Sequence, residues 1–410
     1  MSVQLGENRG LRRWRNAVFI LFFVQGVGGS TWLSRLPTLR DDTGLTTSST
    51  GTFLLAGSIG ALIGLGSSTF LVAKFGAHRA LLITMSTGLV GVLTMGFGSS
   101  VIGDVWAIAL GLFGFGCGFG ASGVLINIEG SLAERAIGKT VMPLIHGFFS
   151  IGTVTGALIA AGFAAAHVPV VWHFSIMVLL CAGLALGALV MLPDRSETAD
   201  VAALTEPLGW RNRAREALAV WRDPFVAFMG VCLIGTGFAE GAANDWIALG
   251  MVDGHGFSNA LGALGFGLFV GGMTLIRLIG GPLTDRWGRV VVYRGSVVCI
   301  ATGIVVFVFG HSVPLALLGS ALWGLGVGLA FPTLMSAAGS VGNRAARVAA
   351  VSSVGYASGL VGPPALGWIG AHVGVLNAQL ALVPLLAVAF VFGFAALGHR
   401  RGSGSPASTR

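Results

Sequence analysis

The chain has 410 residues, of which 54% are hydrophobic, only 10% are charged and 66 are glycine. A soluble fold of this size needs far more charged surface, so the composition excludes a soluble globular protein and predicts one that lies in a lipid bilayer. The net charge of +8 comes from short basic clusters between apolar runs, so nucleic acid is not an expected partner. Four cysteines lie inside apolar segments without paired spacing, which predicts neither a disulfide framework nor a metal site.

The apolar runs predict an all-α membrane protein with twelve transmembrane helices, because each is about as long as a bilayer-spanning helix of ~20 residues. The first run follows four arginines and has no small-residue cleavage site, which predicts a retained helix and not a signal peptide. The predicted spans are residues 16–37, 50–73, 79–98, 103–130, 140–164, 171–192, 224–250, 260–283, 290–310, 313–338, 347–370 and 375–397.

These spans form two six-helix halves, residues 16–192 and 223–397, joined by a hydrophilic linker at 193–222. A cytoplasmic N-terminal segment is predicted at 1–15 and a disordered cytoplasmic tail at 398–410. The linker is predicted to contain an amphipathic helix at the membrane surface, with a merely solvated basic linker as the alternative. The apolar face of that helix consists of Trp210, Ala214, Leu218 and Trp221.

The distribution of basic residues predicts the orientation of the chain. Arg35 and Arg40 fall on one side of the membrane, Arg277 falls within a span, and every other Lys or Arg lies on the side of the two termini. Basic loops stay in the cytoplasm, so a multi-pass protein of a bacterial-type inner membrane with both termini cytoplasmic is predicted.

Two segments recur in both halves. Residues 27–32 of the first span match 241–246 of the seventh at a constant offset, and Lys74-Phe75-Gly76 after the second span matches Arg286-Trp287-Gly288 after the eighth. Such internal repeats are typical of secondary transporters, in which the substrate site lies near mid-membrane at the repeat interface.

The segment 281–289, Gly-Pro-Leu-Thr-Asp-Arg-Trp-Gly-Arg, resembles the loop signature of the major facilitator superfamily. The first-half copy is degenerate, since Ala73 stands where the signature has its Asp. The stretch from Asn127 to Gly152 resembles a bacterial branch of that family with rhizopine-permease-like membrane proteins, near the sugar permeases. This resemblance implies an alternating-access transporter, functional as a monomer, for a small hydroxylated or aminated solute. It also implies gating roles for Gly281, Asp285, Arg286, Gly288 and Arg289.

Glu240, Asn244 and Asp245 form the clearest polar group within a predicted span. Ionisable residues in a span cost several kcal/mol to insert unless paired or hydrated, so they are functional candidates. Desolvation favours the protonated form of a carboxyl group, which makes Glu240 the first candidate for proton coupling. The alternative is that Glu240 hydrogen-bonds a broken stretch of the glycine-rich helix. Asp245 is a second candidate for proton coupling. Its other possible roles are contact with the substrate, or a structural role as a carboxylate that is solvated or pairs with a gate residue.

Glu129 and His146 lie at similar depths, about 12 Å of helix from the turn near Gly138. They are predicted to pair across the hairpin as a second proton carrier or a cytoplasmic gate, with a hydrated or structural histidine as the alternative. Arg277 lies two turns before Asp285, and its side chain is predicted to extend toward the cytoplasmic surface in a gating role, with binding of an anionic solute as the alternative.

Polar and aromatic side chains within the spans are candidates for solute binding, because aromatic rings and hydrogen-bonding edges suit sugar rings. For the two tryptophans near the outer ends, an interfacial aromatic belt is the alternative. The candidates are Gln25, Trp32, Asn127, Asn244, Trp246, Trp323 and Tyr356.

The predicted function is proton-coupled transport of a small polar solute such as a sugar, polyol or amino sugar. Efflux of amphiphilic cations is the alternative within the same class, and a membrane receptor or enzyme on the same scaffold is the alternative from another class. No enzyme activity and no cofactor is predicted. A complete Walker loop is absent from the sequence, since Ala133 stands where its first glycine is required ahead of Gly138-Lys139-Thr140.

Overall fold

The computed structural model describes residues 2–138, 141–193, 221–338 and 344–398, and within them all regular structure is helical. Nearly all of the predicted linker, with its amphipathic helix, and of the tail lies outside these residues. The first half contains helices Ser2–Leu33, Leu36–Thr43, Thr47–Phe97, Val105–Ile137, Met142–Ala165 and Val170–Met191. The second half contains Pro224–Leu249, Asn259–Phe309, Val313–Ala338, Arg344–Val373, Val375–Gln379 and Leu382–Gly398. Short π-helical turns, Gly98–Ile102 and Gly250–Gly254, follow the third and seventh spans.

The two longest helices each hold two membrane spans. Thr47–Phe97 and Asn259–Phe309 contain 51 residues each, more than twice the ~20 that cross a bilayer. Each is broken at a glycine, Gly76 with φ 76° and ψ 161° and Gly288 with φ 78° and ψ 158°. Only glycine adopts this conformation readily, so these residues turn the chain back into the membrane. The predicted twelve-span fold is confirmed, and the near-identical turns after spans 2 and 8 relate the two halves.

We call the side that carries Gly76, Gly138 and Gly288 the terminal face, and the opposite side, which carries the short helix Leu36–Thr43 and the turn at Gly256, the distal face. Neighbouring spans pack closely where glycines remove side chains. A Cβ on Gly324 of span 10, for example, would overlap the carbonyl oxygen of Phe269 in span 8. Small residues therefore set the helix spacing in this bundle.

The two halves meet along two equivalent seams, span 2 against span 11 and span 5 against span 8. At the first seam, a Cβ on Gly51 would lie 3.1 Å from the Cα of Gly367, so the two backbones touch near the distal face. At the second, a Cβ on Gly267 would lie 3.5 Å from the Cβ of Ala157. The space between the seams contains the candidate site.

Candidate functional site

The distal face is closed between the two halves. Arg40, in the short helix after span 1, forms an ion pair with Asp253 at the end of span 7. Arg40 also contacts Asp41 of its own half at 2.5 Å. Both partners of the inter-half pair are largely buried, with 14% and 17% of their side chains exposed, so the pair is shielded from solvent. Together with the Gly51–Gly367 contact, it holds the distal ends of the halves together.

A cavity of about 750 Å³ extends from mid-membrane to the terminal face. Its deep end is lined by Gly120 and Gly123 of span 4, and its outer end by Arg135 and Met142, which flank the turn between spans 4 and 5. A smaller cavity of about 290 Å³ shares the lining residues Ser58, Ala61 and Gly120 and so continues it toward the distal face. A third cleft of about 910 Å³ lies among the distal loops and shares no lining residue with either.

The loop signature lies at the open end. Gly281 and all residues from Asp285 to Arg289 are exposed. Asp285, Arg286 and Arg289 form no ion pair with any residue that the structure describes. Among the described residues, the charges of the signature loop therefore do not bridge the halves in this conformation, and the molecule is closed at the distal face and open at the terminal face.

Glu240, in the interior of span 7, forms an ion pair with Arg277 of span 8. Nη2 of Arg277 lies 3.4 Å from Oε1 of Glu240, and Nε of Arg277 donates to the carbonyl oxygen of Gly328 at 3.2 Å. About a third of each side chain is exposed. The predicted extension of Arg277 toward the surface is wrong, because Glu240 in the preceding span offers its cation a closer partner. The helix around Glu240 is continuous from Pro224 to Leu249, so Glu240 does not brace a broken helix.

His146 and Glu129 have different partners in the structure. Oε2 of the buried Glu129 accepts a hydrogen bond from Nε1 of Trp14 at 2.9 Å. His146 is exposed, and its ring meets Phe22 edge-on with centroids 5.0 Å apart. Arg277, from the other half, lies within electrostatic reach of His146. His146 of span 5 and Arg277 of span 8 therefore lie on opposite sides of one seam between the halves, and the structure does not pair His146 with Glu129.

Asp245 lines the smaller cavity with residues of the first half. Trp32, Phe115 and Phe119 lie around it, the first two in an edge-on contact at 5.8 Å and the last two stacked at 4.6 Å. The carboxylate of Asp245 has no hydrogen bond or ion pair with a described residue. Asp245 is therefore a polar group in a largely apolar recess at the interface of the halves.

The predicted solute-binding residues divide into three groups. Asn127 and Trp32 line the cavities, which agrees with their predicted placement. Nε2 of Gln25 bonds Oγ of Ser122 at 2.7 Å, and Nδ2 of Asn244 bonds the backbone oxygen of Glu240 at 2.9 Å, so both amides are already engaged.

Of the remaining aromatic candidates, Trp323 and Trp246 do not line the cavities, and one lies outside the described residues. Trp323 is fully buried, and its Nε1 donates to the carbonyl oxygen of Ala239 at 3.1 Å, an internal contact beside Glu240. Trp246 is 1% exposed and Trp32 is 7% exposed, so neither lies in a lipid-facing aromatic belt. The side chain of Tyr356 lies outside the described residues.

Two further contacts were missed by sequence reasoning. Arg40 and Asp253 were not predicted to meet, although they occupy adjacent positions in the repeat that pairs Trp32 with Trp246. The contact between Trp14 and Glu129 was not predicted either, because Trp14 was assigned to the segment before the first span. In the structure the first helix begins at Ser2, and Trp14 is buried within the bundle. The repeat offset could have identified the first pair, whereas no sequence signal identified the Trp14 contact.

The comparisons with known proteins agree with this architecture. The family model described as Major Facilitator Superfamily matches residues 18–359. The chain is 29% identical to an uncharacterized transporter of the major-facilitator type from Yersinia pestis, over 90% of this chain and 91% of the relative. It is 30% identical to an uncharacterized transporter of Sinorhizobium fredii, over 88% and 91% of the two chains. The crystal structure of a mutant of the nucleoside transporter NupG superposes with a TM-score of 0.74 at 16% identity, covering 93% of this chain and 98% of that one. With the two related six-helix halves, these matches show that the chain belongs to the Major Facilitator Superfamily of membrane transporters.

Proposed function

We propose that this transporter couples the movement of protons to that of a small polar solute, by alternating access in the inner membrane with the terminal face in the cytoplasm. The observation that carries the proposal is the Glu240–Arg277 ion pair, a titratable carboxylate and its counter-ion held between two spans of a bundle that is closed at the distal face. Inward release of the solute then corresponds to the conformation described above.

The coupling follows from the charges at mid-membrane. When Glu240 is ionised, its carboxylate offsets the cation of Arg277, so neither charge is left uncompensated among the helices. When Glu240 takes up a proton, Arg277 loses its counter-ion and must find another partner or move. The charge of Arg277 also acts on His146 across the seam between the halves. Proton uptake therefore changes the forces between spans 5, 7 and 8, which is what coupling to a rocking motion requires.

The Asp253–Arg40 pair and the signature loop are the two gates of this cycle. In the described conformation the distal pair is formed and the charges from Asp285 to Arg289 are free of inter-half partners within the described residues. In the opposite conformation we expect the distal pair to break and the signature loop to engage the first half.

The experiment is proton movement in proteoliposomes that contain wild-type protein or Glu240→Gln, challenged with a panel of sugars, polyols and amino sugars. One solute is expected to produce a proton flux in the wild type. Glu240→Gln should abolish pH-driven uptake of that solute while leaving solute exchange across the membrane. Asp104→Asn is the matched control, because it removes a carboxylate at the distal helix start while asparagine can still cap that helix. Loss of both uptake and exchange in folded Glu240→Gln would contradict the assignment.

Efflux of amphiphilic cations is the second candidate, and the aromatic lining around Asp245 favours it. Proton flux with many unrelated hydrophobic cations, and with no sugar or polyol, would support efflux over solute uptake. A solute that binds without any flux would instead support a receptor.

A further inference from the structure

We infer that the transported solute carries a positively charged amine. Asp245 binds this amine at the deep end of the cavity, the end farthest from the terminal face. This inference rests on the proposed function and specifies its substrate class. It assigns Asp245 to solute recognition and leaves proton coupling to Glu240.

The position of Asp245 fits a binding group. It lies in the cavity of about 290 Å³ that continues the larger, open cavity, and Pro363 of span 11 and Trp32 of span 1 line the same recess. The volume is at the lower end of those that hold small molecules, about 300–1,000 Å³. Beyond it, the contact between spans 2 and 11 closes the path to the distal face. A solute that enters from the terminal face would therefore stop at Asp245.

The carboxylate of Asp245 requires a partner that none of the described residues supplies. No Lys, Arg or His belongs to the described lining of the cavity, and Asp245 has no ion pair with a described residue. An isolated carboxylate in apolar surroundings is costly, whereas one paired with a cation and shielded from water is a strong contact. A solute ammonium would provide the missing charge. By contrast, Glu240 already has Arg277 as its counter-ion.

The aromatic residues support the same ligand chemistry. Trp32, Phe115 and Phe119 line the recess, and the negative faces of aromatic rings attract ammonium groups. Nε1 of Trp32 is buried without a hydrogen-bond partner, so it is available to a hydroxyl oxygen of the solute. An acceptor carboxylate, aromatic rings and one indole donor together match a small hydroxylated amine better than a neutral sugar.

The test is equilibrium binding to the purified full-length protein, read as ligand-induced thermal stabilisation and confirmed by calorimetry. The probes are matched pairs in which an ammonium replaces one hydroxyl, such as glucosamine with glucose and aminocyclitols with cyclitols. We expect at least one amine to bind the wild type ~10-fold or more tightly than its neutral counterpart.

Asp245→Asn should remove this preference. Asp245→Glu, which keeps the charge at a displaced position, should weaken binding but retain the preference. Asp104→Asn should behave as the wild type.

The inference is overturned if no amine binds, if the neutral counterparts bind equally well, or if the amine preference survives in Asp245→Asn. Binding restricted to large lipophilic cations would also overturn it, in favour of efflux. Failure of the proposed function can be distinguished from failure of this inference. If an Asp245-dependent amine binds but moves without protons, the coupling proposal is wrong and this inference stands. If a neutral solute drives a Glu240-dependent proton flux, the reverse holds.

Discussion

Arg40 of the first half is paired with Asp253 of the second, and this contact joins the two loops that the internal repeat makes equivalent. The partners are not neighbours within either half, so the pair can persist only while the distal ends of the halves are together. Its strength therefore biases the equilibrium between the two access states.

We expect Asp253→Asn to shift the population toward the distal-open state by about 1.5–3 kcal/mol, the usual contribution of a hydrogen bond to a charged group. Distances between spin labels on the distal ends of spans 2 and 11 would measure the shift. Asp41→Asn is the matched control, because Asp41 pairs with the same arginine but belongs to the same half. The charge-swapped double variant, Arg40→Asp with Asp253→Arg, should restore closure. An unchanged distance distribution in Asp253→Asn would rule out a gating role.

The close approach of spans 2 and 11 gives a second prediction. A Cβ on Gly51 would overlap the carbonyl oxygen of Pro363, whereas a Cβ on Gly66 of the same span meets nothing within 4 Å. We therefore expect Gly51→Ala to hinder distal closure and slow transport, and Gly66→Ala to leave both unchanged. Solute uptake in proteoliposomes, with the same spin-label distances, would measure the effect. Equal behaviour of the two variants would show that this seam separates little during the cycle.

The turn at Gly288 predicts a backbone effect on stability. Its φ of 78° and ψ of 158° lie in a region that other residues avoid at a cost of about 1–3 kcal/mol. Gly288→Ala should lower the thermal unfolding temperature in detergent. Gly281→Ala in the same signature has open space for the added methyl and a helical backbone, so it should not. Equal unfolding temperatures for the two variants would mean that the turn relaxes without strain.

The buried contact between Trp14 and Glu129 predicts a loss of stability in Trp14→Phe. The substitution keeps the ring but removes the donor to Oε2 of Glu129, which should cost about 1–3 kcal/mol. Trp106→Phe is the matched control, since Trp106 is 78% exposed. Chemical unfolding monitored by circular dichroism would compare the two. A Trp14→Phe protein as stable as Trp106→Phe would indicate that water or another group replaces the indole donor.

The orientation of the chain can be tested by chemical labelling. Val101 on the distal face and Trp287 on the terminal face are exposed, at 66% and 54%. In a background without Cys117, Cys181, Cys232 and Cys299, a membrane-impermeant maleimide should label Val101→Cys on intact cells. Trp287→Cys should be labelled only after the cells are opened. The reverse pattern would place the termini outside the cytoplasm.

The sequence alone determined the number of spans, the two halves and the turns between spans 2 and 3 and between spans 8 and 9. These features depend on local properties: runs of apolar residues as long as a bilayer is thick, and glycines where only glycine can turn the chain. The sequence also identified Glu240, Asp245 and His146 as candidates, because ionisable residues are rare within spans.

Only the tertiary structure decided which groups meet. Arg277 lies 37 positions from Glu240 in the chain, and Arg40 lies 213 positions from Asp253, so neither contact has a periodicity that a sequence pattern could show. Side-chain partners depend on how the helices rotate and cross, and many small packing contacts across the bundle fix those angles together. Among the described residues, the same packing gives Asp245 no partner while it provides one for Glu240. The sequence therefore determined which residues are available for transport, and the packing of the two halves decided which of them are paired.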